Sequence, residues 1–228
     1  MAIKDSALEE ARRRKRYFQQ ALLEWAKSNL REFPWRKNRT PYRVLVAEVI
    51  LRRTTSKAAS RVYEEFLKRW PDVRSLASAD IRELEEFLKA IGYHKQRAKI
   101  LKSMANFIVS EYGGRIPNDI KLLLRIPHVG FYIAGAILSL GYGTPAPMVD
   151  SNVQRILTRV FKRHLPEKPP LRLLLSLARE LLPEDRHEIF NLALLDLGAL
   201  ICRYDRPRCE KCPLAPLCDT AITIRLAS

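Results

Sequence analysis

The chain has 228 residues, enough for one large domain or two modest ones, and 47% of them are hydrophobic, which argues against a disordered protein. Only 8 residues are glycine and no Asn-Gly or Asp-Gly pair is present, which disfavours an all-β fold. The 41 Lys and Arg residues outnumber the 25 Asp and Glu residues and leave a formal net charge of +16. This excess favours nucleic acid as a partner, although a surface charged only for solubility or thermal stability would show it too.

The N-terminal sequence and the hydropathy pattern bear on the cellular compartment. No apolar run reaches the roughly 18 residues that span a bilayer. The first residues carry charge from Lys4 onward and lack the apolar core of a signal peptide. We therefore expect a soluble intracellular protein with no membrane partner.

Apolar residues recur at helical spacing along most of the chain, which predicts an all-α protein with short loops. Ser78 and Asp80 are capping residues that mark the start of the helix predicted near residue 79. The predicted helices span residues 7–31, 43–52, 58–69, 79–90, 94–111, 118–125, 130–140, about 151–163, 171–182 and 186–201.

Residues 122–136 predict two apolar helical segments joined by a tight turn, and Pro127, His128, Val129 and Gly130 form that turn. The free N–H groups and the positive dipole end of the second helix would suit a phosphate. The turn is therefore a candidate DNA-binding element that would contact the nucleic-acid backbone and carry no base specificity. An ordinary pair of antiparallel helices fits the same pattern.

All four cysteines lie in one short segment, with the spacing Cys-x6-Cys-x2-Cys-x5-Cys from Cys202 through Cys209 and Cys212 to Cys218. Cysteines of a disulfide framework are normally spread along a small secreted chain, so this clustering favours metal ligands. Zinc accepts four thiolates, but its sites usually pair two Cys-x2-Cys knuckles, and this segment has one. Compact runs of this kind are also found around iron–sulfur clusters, and the spacing leaves both metals open.

Two carboxylates stand out from their surroundings. Asp150 directly precedes a predicted helix, where it would cap the helix and where the positive helix end would favour its ionised form. Glu48 is the only charged residue in the apolar segment 44–51. Its carboxylate would be partly desolvated if the side chain faced the interior, whereas a side chain that pointed into solvent would be an ordinary surface glutamate.

These elements occur together in an order that resembles the endonuclease III and adenine glycosylase superfamily of helix-hairpin-helix DNA glycosylases. The resemblance spans residues 30–218 approximately. Within that superfamily, residues 51–55 and Tyr132 look most like the archaeal G·T mismatch (thymine/uracil) glycosylases. The matching residues are Pro34-Trp35-Arg36, Glu48, Ile91-Gly92, Arg97-Ala98, the hairpin from Ile126 to Ala134, Val149-Asp150, and the segment from Asp196 through the four cysteines.

The resemblance implies two helical modules with a cleft between them. The helix-hairpin-helix module would cover residues 33–142, and residues 1–32 with 143–228 would form the module that carries a [4Fe-4S] cluster on the four cysteines. The chain departs from the family at His128, where glycine is usual. A side chain there would restrict the turn and could alter its contact with DNA.

The resemblance also implies roles for the site residues. Asp150 would stabilise the oxocarbenium-like sugar as the glycosidic bond breaks, and Glu48 would protonate the leaving base or orient water. Tyr132 occupies the position of the Schiff-base lysine of bifunctional members, so we predict no lyase activity. Arg52 and Arg53 would contact DNA at the end of their helix, with Arg53 at the wedge position that fills the space left by the flipped nucleotide. Plain phosphate binding by the two arginines, and a core position for Tyr132, are the simpler alternatives.

We therefore predict a monofunctional glycosylase of base excision repair that removes thymine or uracil from G·T and G·U mismatches. An adenine glycosylase acting on A·G or A·8-oxoG pairs, a bifunctional pyrimidine glycosylase and lyase, and a catalytically silent DNA-binding module are the alternatives. Adenine glycosylases usually carry a C-terminal recognition domain, whereas this sequence ends ten residues after Cys218. We expect a monomer that binds mismatched double-stranded DNA in the cytoplasm, associated with the nucleoid.

Overall fold

The structure is a computed structural model that describes the backbone of residues 2–227 and the side chains of residues 6–224. Helices are the only regular secondary structure in the described residues, which confirms the predicted all-α class. The α-helices are α1 (Ala2–Asn29), α2 (Pro41–Ile50), α3 (Ser56–Arg69), α4 (Val73–Ser78), α5 (Ile81–Leu88), α6 (His94–Tyr112), α7 (Ile120–Leu123), α8 (Phe131–Ala136), α9 (Ser151–Val160), α10 (Leu171–Leu181), α11 (His187–Leu200) and α12 (Asp219–Ala227).

Most predicted helices match these bounds within a few residues, and the differences have local causes. The predicted helix at 118–125 is only the four-residue α7, which Asp119 caps. The predicted helix at 130–140 begins after Gly130 as α8 and changes into a π-helical segment, Ile137–Gly141. At Gly141 the chain passes so close to α2 that an added Cβ would lie 2.8 Å from the Cα of Pro41. Glycine is therefore required where this segment packs on α2.

Two α-helices were not predicted from the sequence. Helix α4 has six residues and begins at a capping box formed by Asp72 and Ser75. Helix α12 begins at Asp219, directly after the last cysteine. Helix α4 is too short to show a helical hydrophobic period, and α12 lies beyond the last cysteine, where the pattern predicted no helix.

The chain folds into two compact units, Met1–Arg31 with Pro145–Ser228 as the first and Glu32–Thr144 as the second. In the first unit, α1 packs on α10 and α11, and α9 packs on α10, α11 and α12. Asp196 of α11 is fully buried there and accepts hydrogen bonds from the backbone and guanidinium of Arg31. The largest fully buried side chains of this unit are Phe18, Leu22, Phe161 and Phe190.

The second unit contains α2 to α8. Helix α6 packs on α4 and α5, and the π-helical segment packs on α2. Every residue of α2 from Val44 to Ile50 is buried except Glu48. Among the helices of the described chain, none is both long and apolar enough to cross a membrane.

Candidate active site and cysteine centre

Glu48 lies on α2 of the second unit and is half-buried among apolar neighbours. The hydroxyl of Tyr132, in the first turn of α8, donates a long hydrogen bond of 3.4 Å to its Oε1. One turn further along the chain from Glu48, the guanidinium of Arg52 donates to the carbonyl of His128 at 2.7 Å. Burial lowers the pKa of Arg52, and the nearby charge of Glu48 opposes that shift. Two hydrogen bonds therefore join the C-terminal end of α2 to the hairpin, one through Glu48 and the other through Arg52.

Three residues in this region have a left-handed backbone. Arg53, Tyr93 and His128 have φ values of 50°, 49° and 65°, and the only other such non-glycine residue in the described chain is Asn38. His128 thus occupies a conformation that favours glycine, which explains why glycine is the expected residue there. Histidine is among the residues that tolerate this region, so the turn forms with the histidine in place. Such conformations concentrate at functional sites.

Arg53 follows the end of α2 and is exposed, in contrast to the half-buried Arg52. Its guanidinium lies 5.4 Å from the ring centroid of Tyr93, which is 59% exposed. Beneath this pair the buried Arg97 donates hydrogen bonds to the carbonyls of Arg52 and Gly92. Arg97 therefore holds the backbone that precedes Arg53 and the backbone that precedes Tyr93. The surface there presents the guanidinium of Arg53 beside the ring of Tyr93.

Asp150 lies at the N-terminus of α9 in the first unit and caps it, as the sequence predicts. Its Oδ1 accepts the backbone N–H of Val153 at 2.8 Å, and its Oδ2 accepts the side-chain amide of Asn152 at 2.8 Å. Two donors therefore fix the plane of the carboxylate.

The side chain of Asn152 is itself fixed by neighbouring residues. Its amide oxygen accepts a hydrogen bond of 2.8 Å from Arg155, whose guanidinium also donates to the carbonyls of Gly198 and Cys202. Gly198 of α11 approaches so closely that an added Cβ would lie 2.5 Å from the Cβ of Asn152. The orientation of Asp150 thus depends on a chain of contacts that ends at the first cysteine.

The four cysteines gather after α11. Burial raises the pKa of the Cys212 thiol to about 11, and the proximity of the Cys202, Cys218 and Cys209 sulfurs contributes to this rise. Backbone N–H groups donate to the sulfurs, from Leu214 to Cys212 and from Thr220 and Ala221 to Cys218. Short 3-10 turns over Cys209–Lys211 and Ala215–Leu217 shape the segment. Within the described residues, no three His, Cys, Asp or Glu side chains already have the arrangement of a bound metal site.

A family model for HhH-GPD superfamily base excision DNA repair proteins matches residues 46–180, which is more than half of the chain and includes Glu48, the hairpin and Asp150. The chain belongs to the HhH-GPD superfamily.

Similar members of the superfamily have names that specify a reaction. A thymine/uracil-DNA glycosylase of Methanothermobacter thermautotrophicus is 35% identical over 91% of this chain and 94% of its own length. A thymine-DNA glycosylase of Aeropyrum pernix is 40% identical over 86% of this chain and 91% of its own. The human adenine DNA glycosylase is 35% identical over 88% of this chain, but the match covers 39% of that protein.

Solved structures show the same fold. A thermostable thymine-DNA glycosylase superposes with a TM-score of 0.87 at 34% identity, covering 92% of this chain and 98% of its own. An endonuclease III trapped covalently on DNA superposes with a TM-score of 0.80, covering 94% and 98% of the two chains. At 21% identity the second likeness supports the fold alone.

HhH-GPD superfamily members often carry a [4Fe-4S] cluster, and the donor set of this chain fits such a group. Four thiols lie within seventeen residues of sequence, 202–218, and close enough in space to influence one another electrostatically. Backbone N–H groups already point at two of the sulfurs, and they would stabilise thiolates that ligate iron. A bound metal would lower the pKa values of the thiols, because its positive charge stabilises the thiolates that ligate it.

Three residues of these two sites, Tyr93, Asn152 and Arg155, were not predicted from the sequence. Tyr93 carried one signal, an aromatic residue directly after Gly92 in an otherwise charged segment, but nothing in the sequence placed it beside Arg53. Asn152 and Arg155 are polar residues one turn apart on an amphipathic helix, a pattern that usually marks a solvated face. Only the packing of α11 against α9 shows that both are half-buried and point toward Asp150 and Cys202.

Proposed function

We propose that this protein is a monofunctional DNA glycosylase that flips thymine or uracil out of G·T and G·U mismatches and hydrolyses its N-glycosidic bond. The contact between Tyr132 and Glu48 carries the proposal, because it places a phenol and a half-buried carboxylate together at the hairpin. A phenol at that position cannot form a Schiff base with the sugar. The names of the thymine and thymine/uracil glycosylases that resemble the chain support the choice of base.

The two carboxylates have different surroundings and, in this proposal, different tasks. Asp150 accepts two hydrogen bonds at a helix N-terminus, a setting suited to a fixed negative charge that stabilises an oxocarbenium-like sugar. Glu48 is half-buried and accepts a long hydrogen bond from the Tyr132 hydroxyl, so it can exchange a proton with the leaving base or with water. A division of labour between two carboxylates of this kind is typical of glycoside hydrolysis.

The DNA contacts in this proposal follow the exposure of the arginines. Exposed Arg53, backed by the ring of Tyr93, enters the duplex where the nucleotide has left and donates to the orphaned guanine. Arg52 already binds the carbonyl of His128, so its role is to hold the hairpin turn, and Pro127, His128, Val129 and Gly130 meet the phosphate backbone.

The cysteine segment, in this proposal, binds a [4Fe-4S] cluster through Cys202, Cys209, Cys212 and Cys218. When bound, the cluster would supply a rigid cross-link among four points of the segment. Excision is hydrolytic and needs no electron, so we assign the segment a structural role. The first unit with the cysteines and the second unit with the hairpin correspond to the cluster module and the helix-hairpin-helix module.

The experiment is a panel of duplex oligonucleotides that contain one G·T, G·U, A·G or 8-oxoG·A pair, each incubated with protein and then treated with alkali to cleave abasic sites. We expect cleavage of the thymine and uracil strands, dependent on the alkali step. Cleavage of A·G without cleavage of G·T would overturn the base assignment. Strand cleavage before alkali, together with a borohydride-trapped covalent adduct, would overturn the monofunctional assignment.

An adenine glycosylase is the second candidate, because the human adenine DNA glycosylase is 35% identical to this chain over 88% of it. Its substrates, the A·G and 8-oxoG·A pairs, are in the same panel. Excision of adenine at a rate above that of thymine and uracil would select this candidate.

A further inference from the structure

Arg159 on α9 reaches the first cysteine with its side chain. The guanidinium donates to the Sγ of Cys202 at 3.4 Å, to the carbonyl of Arg203 at 2.6 Å and to the carbonyl of Tyr204 at 2.8 Å. These three acceptors belong to consecutive residues at the start of the basic loop between the first two cysteines. The planar fork of donors on an arginine suits such a set, whereas a lysine would have to share one nitrogen among them.

The backbone of the same residue holds the last cysteine. The carbonyl of Arg159 accepts hydrogen bonds from the Sγ of Cys218 at 3.4 Å and from the hydroxyl of Thr220 at 3.0 Å. Its neighbour Val160 is buried in the core of the first unit, so this carbonyl has a fixed position. Arg159 therefore contacts both ends of the cysteine segment, one with its side chain and the other with its backbone.

Two other arginines near the segment contact one end only. Arg155 binds the carbonyl of Cys202 and not its sulfur. Arg14 of α1 binds the carbonyl of Leu217 and the carboxylate of Asp219, which flank Cys218. Drawing the two ends of a loop together costs conformational entropy, and a group that binds both ends in the folded chain offsets that cost in advance.

We propose that Arg159 is a positioning residue that closes the cysteine segment, holding the first and the last cysteine in place for the group they bind. The closed segment exists before the metal arrives, and this statement does not depend on the proposed cluster. Ligation removes the proton that the Cys218 thiol donates to the Arg159 carbonyl, so in the loaded segment the bonds of Arg159 to Cys202, Arg203, Tyr204 and Thr220 remain. That these bonds slow the departure of the metal rests on the proposed cluster.

The test compares Arg159→Gln and Arg159→Lys with the wild-type protein as purified. Arg179→Gln is the matched control, because it removes one positive charge from an exposed side chain of α10 in the same unit. Hydrogen–deuterium exchange is measured for peptides that cover residues 203–212, where the N–H of Arg208 bonds to the carbonyl of Ile201. Iron content and cluster absorbance are followed in parallel while a chelator competes for the metal.

We expect Arg159→Gln to raise both the exchange rate of this loop and the rate of iron loss at least about tenfold, because a charge-assisted hydrogen bond contributes roughly that factor to an equilibrium constant. Arg159→Lys is expected to lie between Arg159→Gln and wild type, and Arg179→Gln to match wild type. If Arg159→Gln fails to fold, the exchange rate of Arg159→Lys decides the question. Wild-type exchange in the Arg159 variants would overturn the inference. A wild-type protein that binds no iron would overturn the cluster proposal, while the exchange measurement would still test Arg159.

Discussion

At the scale of single residues, the carboxylate of Asp150 accepts two hydrogen bonds, and both donors are themselves fixed in position. The N–H of Val153 belongs to a helix, and the amide of Asn152 is fixed by Arg155. Asp150→Asn keeps an acceptor for the helix and removes the charge. We expect excision to fall about 100- to 1000-fold, the loss typical when an electrostatic stabiliser of a transition state is removed. Single-turnover excision from a G·T duplex measures this effect.

Binding provides the counterpart to that measurement. Affinity of Asp150→Asn for the same duplex should equal or exceed that of wild type, because one negative charge facing a polyanion is removed. Ser151→Ala is the control, since Ser151 is exposed and adjacent in sequence. Excision by Asp150→Asn at the wild-type rate would exclude Asp150 from the chemistry.

Tyr132 contributes through its hydroxyl group. Tyr132→Phe keeps the ring and removes the hydrogen bond to Glu48, so we expect excision to slow about tenfold while affinity for DNA is retained. Tyr112→Phe is the control, because the Tyr112 hydroxyl lies in the same unit and donates to the carbonyl of Leu122 rather than to Glu48. Equal rates for the two variants would show that the phenol only fills space.

The sequence predicted the residues whose type is itself unusual in its setting. Glu48 is a lone charge in an apolar run, Asp150 precedes a helix, and four cysteines share one segment. The partners of these residues were not predictable. Asn152 and Arg159 look like ordinary polar residues of an amphipathic helix, and their roles depend on contacts with residues more than forty positions away.

At the scale of elements, hydrophobic periodicity located the long helices, because each buries one face. It failed for α4 and α12, and it overestimated the length of α7, where capping and packing on neighbours decide the structure. The close contact between α11 and α9 was also invisible in the sequence. It depends on Gly198, where the Cβ of any other residue would collide with Asn152.

Gly198→Ala tests that contact. The added methyl group would lie 2.5 Å from the Cβ of Asn152, so α11 and α9 must move apart. We expect the free energy of unfolding to fall by about 1–3 kcal/mol, the usual cost of overpacking. Excision should fall as well, because Asn152 orients Asp150. Thermal denaturation and single-turnover kinetics measure the two effects separately.

Ala199→Gly separates loss of stability from loss of alignment. Ala199 is exposed on α11, and glycine in a helix costs about 1 kcal/mol without any collision. This variant should therefore be destabilised by a similar amount and keep the wild-type rate of excision below its melting temperature. If it loses activity as Gly198→Ala does, the effect of Gly198→Ala is one of stability and not of Asp150 alignment.

At the scale of the whole molecule, a net charge of +16 makes electrostatics a large part of any encounter with DNA. Cations that neutralise phosphates release counterions, so the logarithm of the affinity falls linearly with the logarithm of the salt concentration. Base recognition by contrast depends on short-range contacts such as that proposed for Arg53. The two contributions can be separated, because salt weakens matched and mismatched DNA alike.

We therefore expect affinity for a matched G·C duplex and for a G·T duplex to fall in parallel, by roughly 1000-fold or more between about 50 and 200 mM salt for six or more phosphate contacts. The ratio of the two affinities should stay constant. Arg53→Gln should reduce that ratio and leave the salt slope at its wild-type value, because Arg53 contacts the orphaned base and not a phosphate. Titrations of labelled duplexes at several salt concentrations give both quantities. A ratio that is unchanged in Arg53→Gln, with a shallower slope, would make Arg53 a phosphate contact, and recognition of the mismatch would then reside in other residues or in the lower cost of extruding a mispaired base.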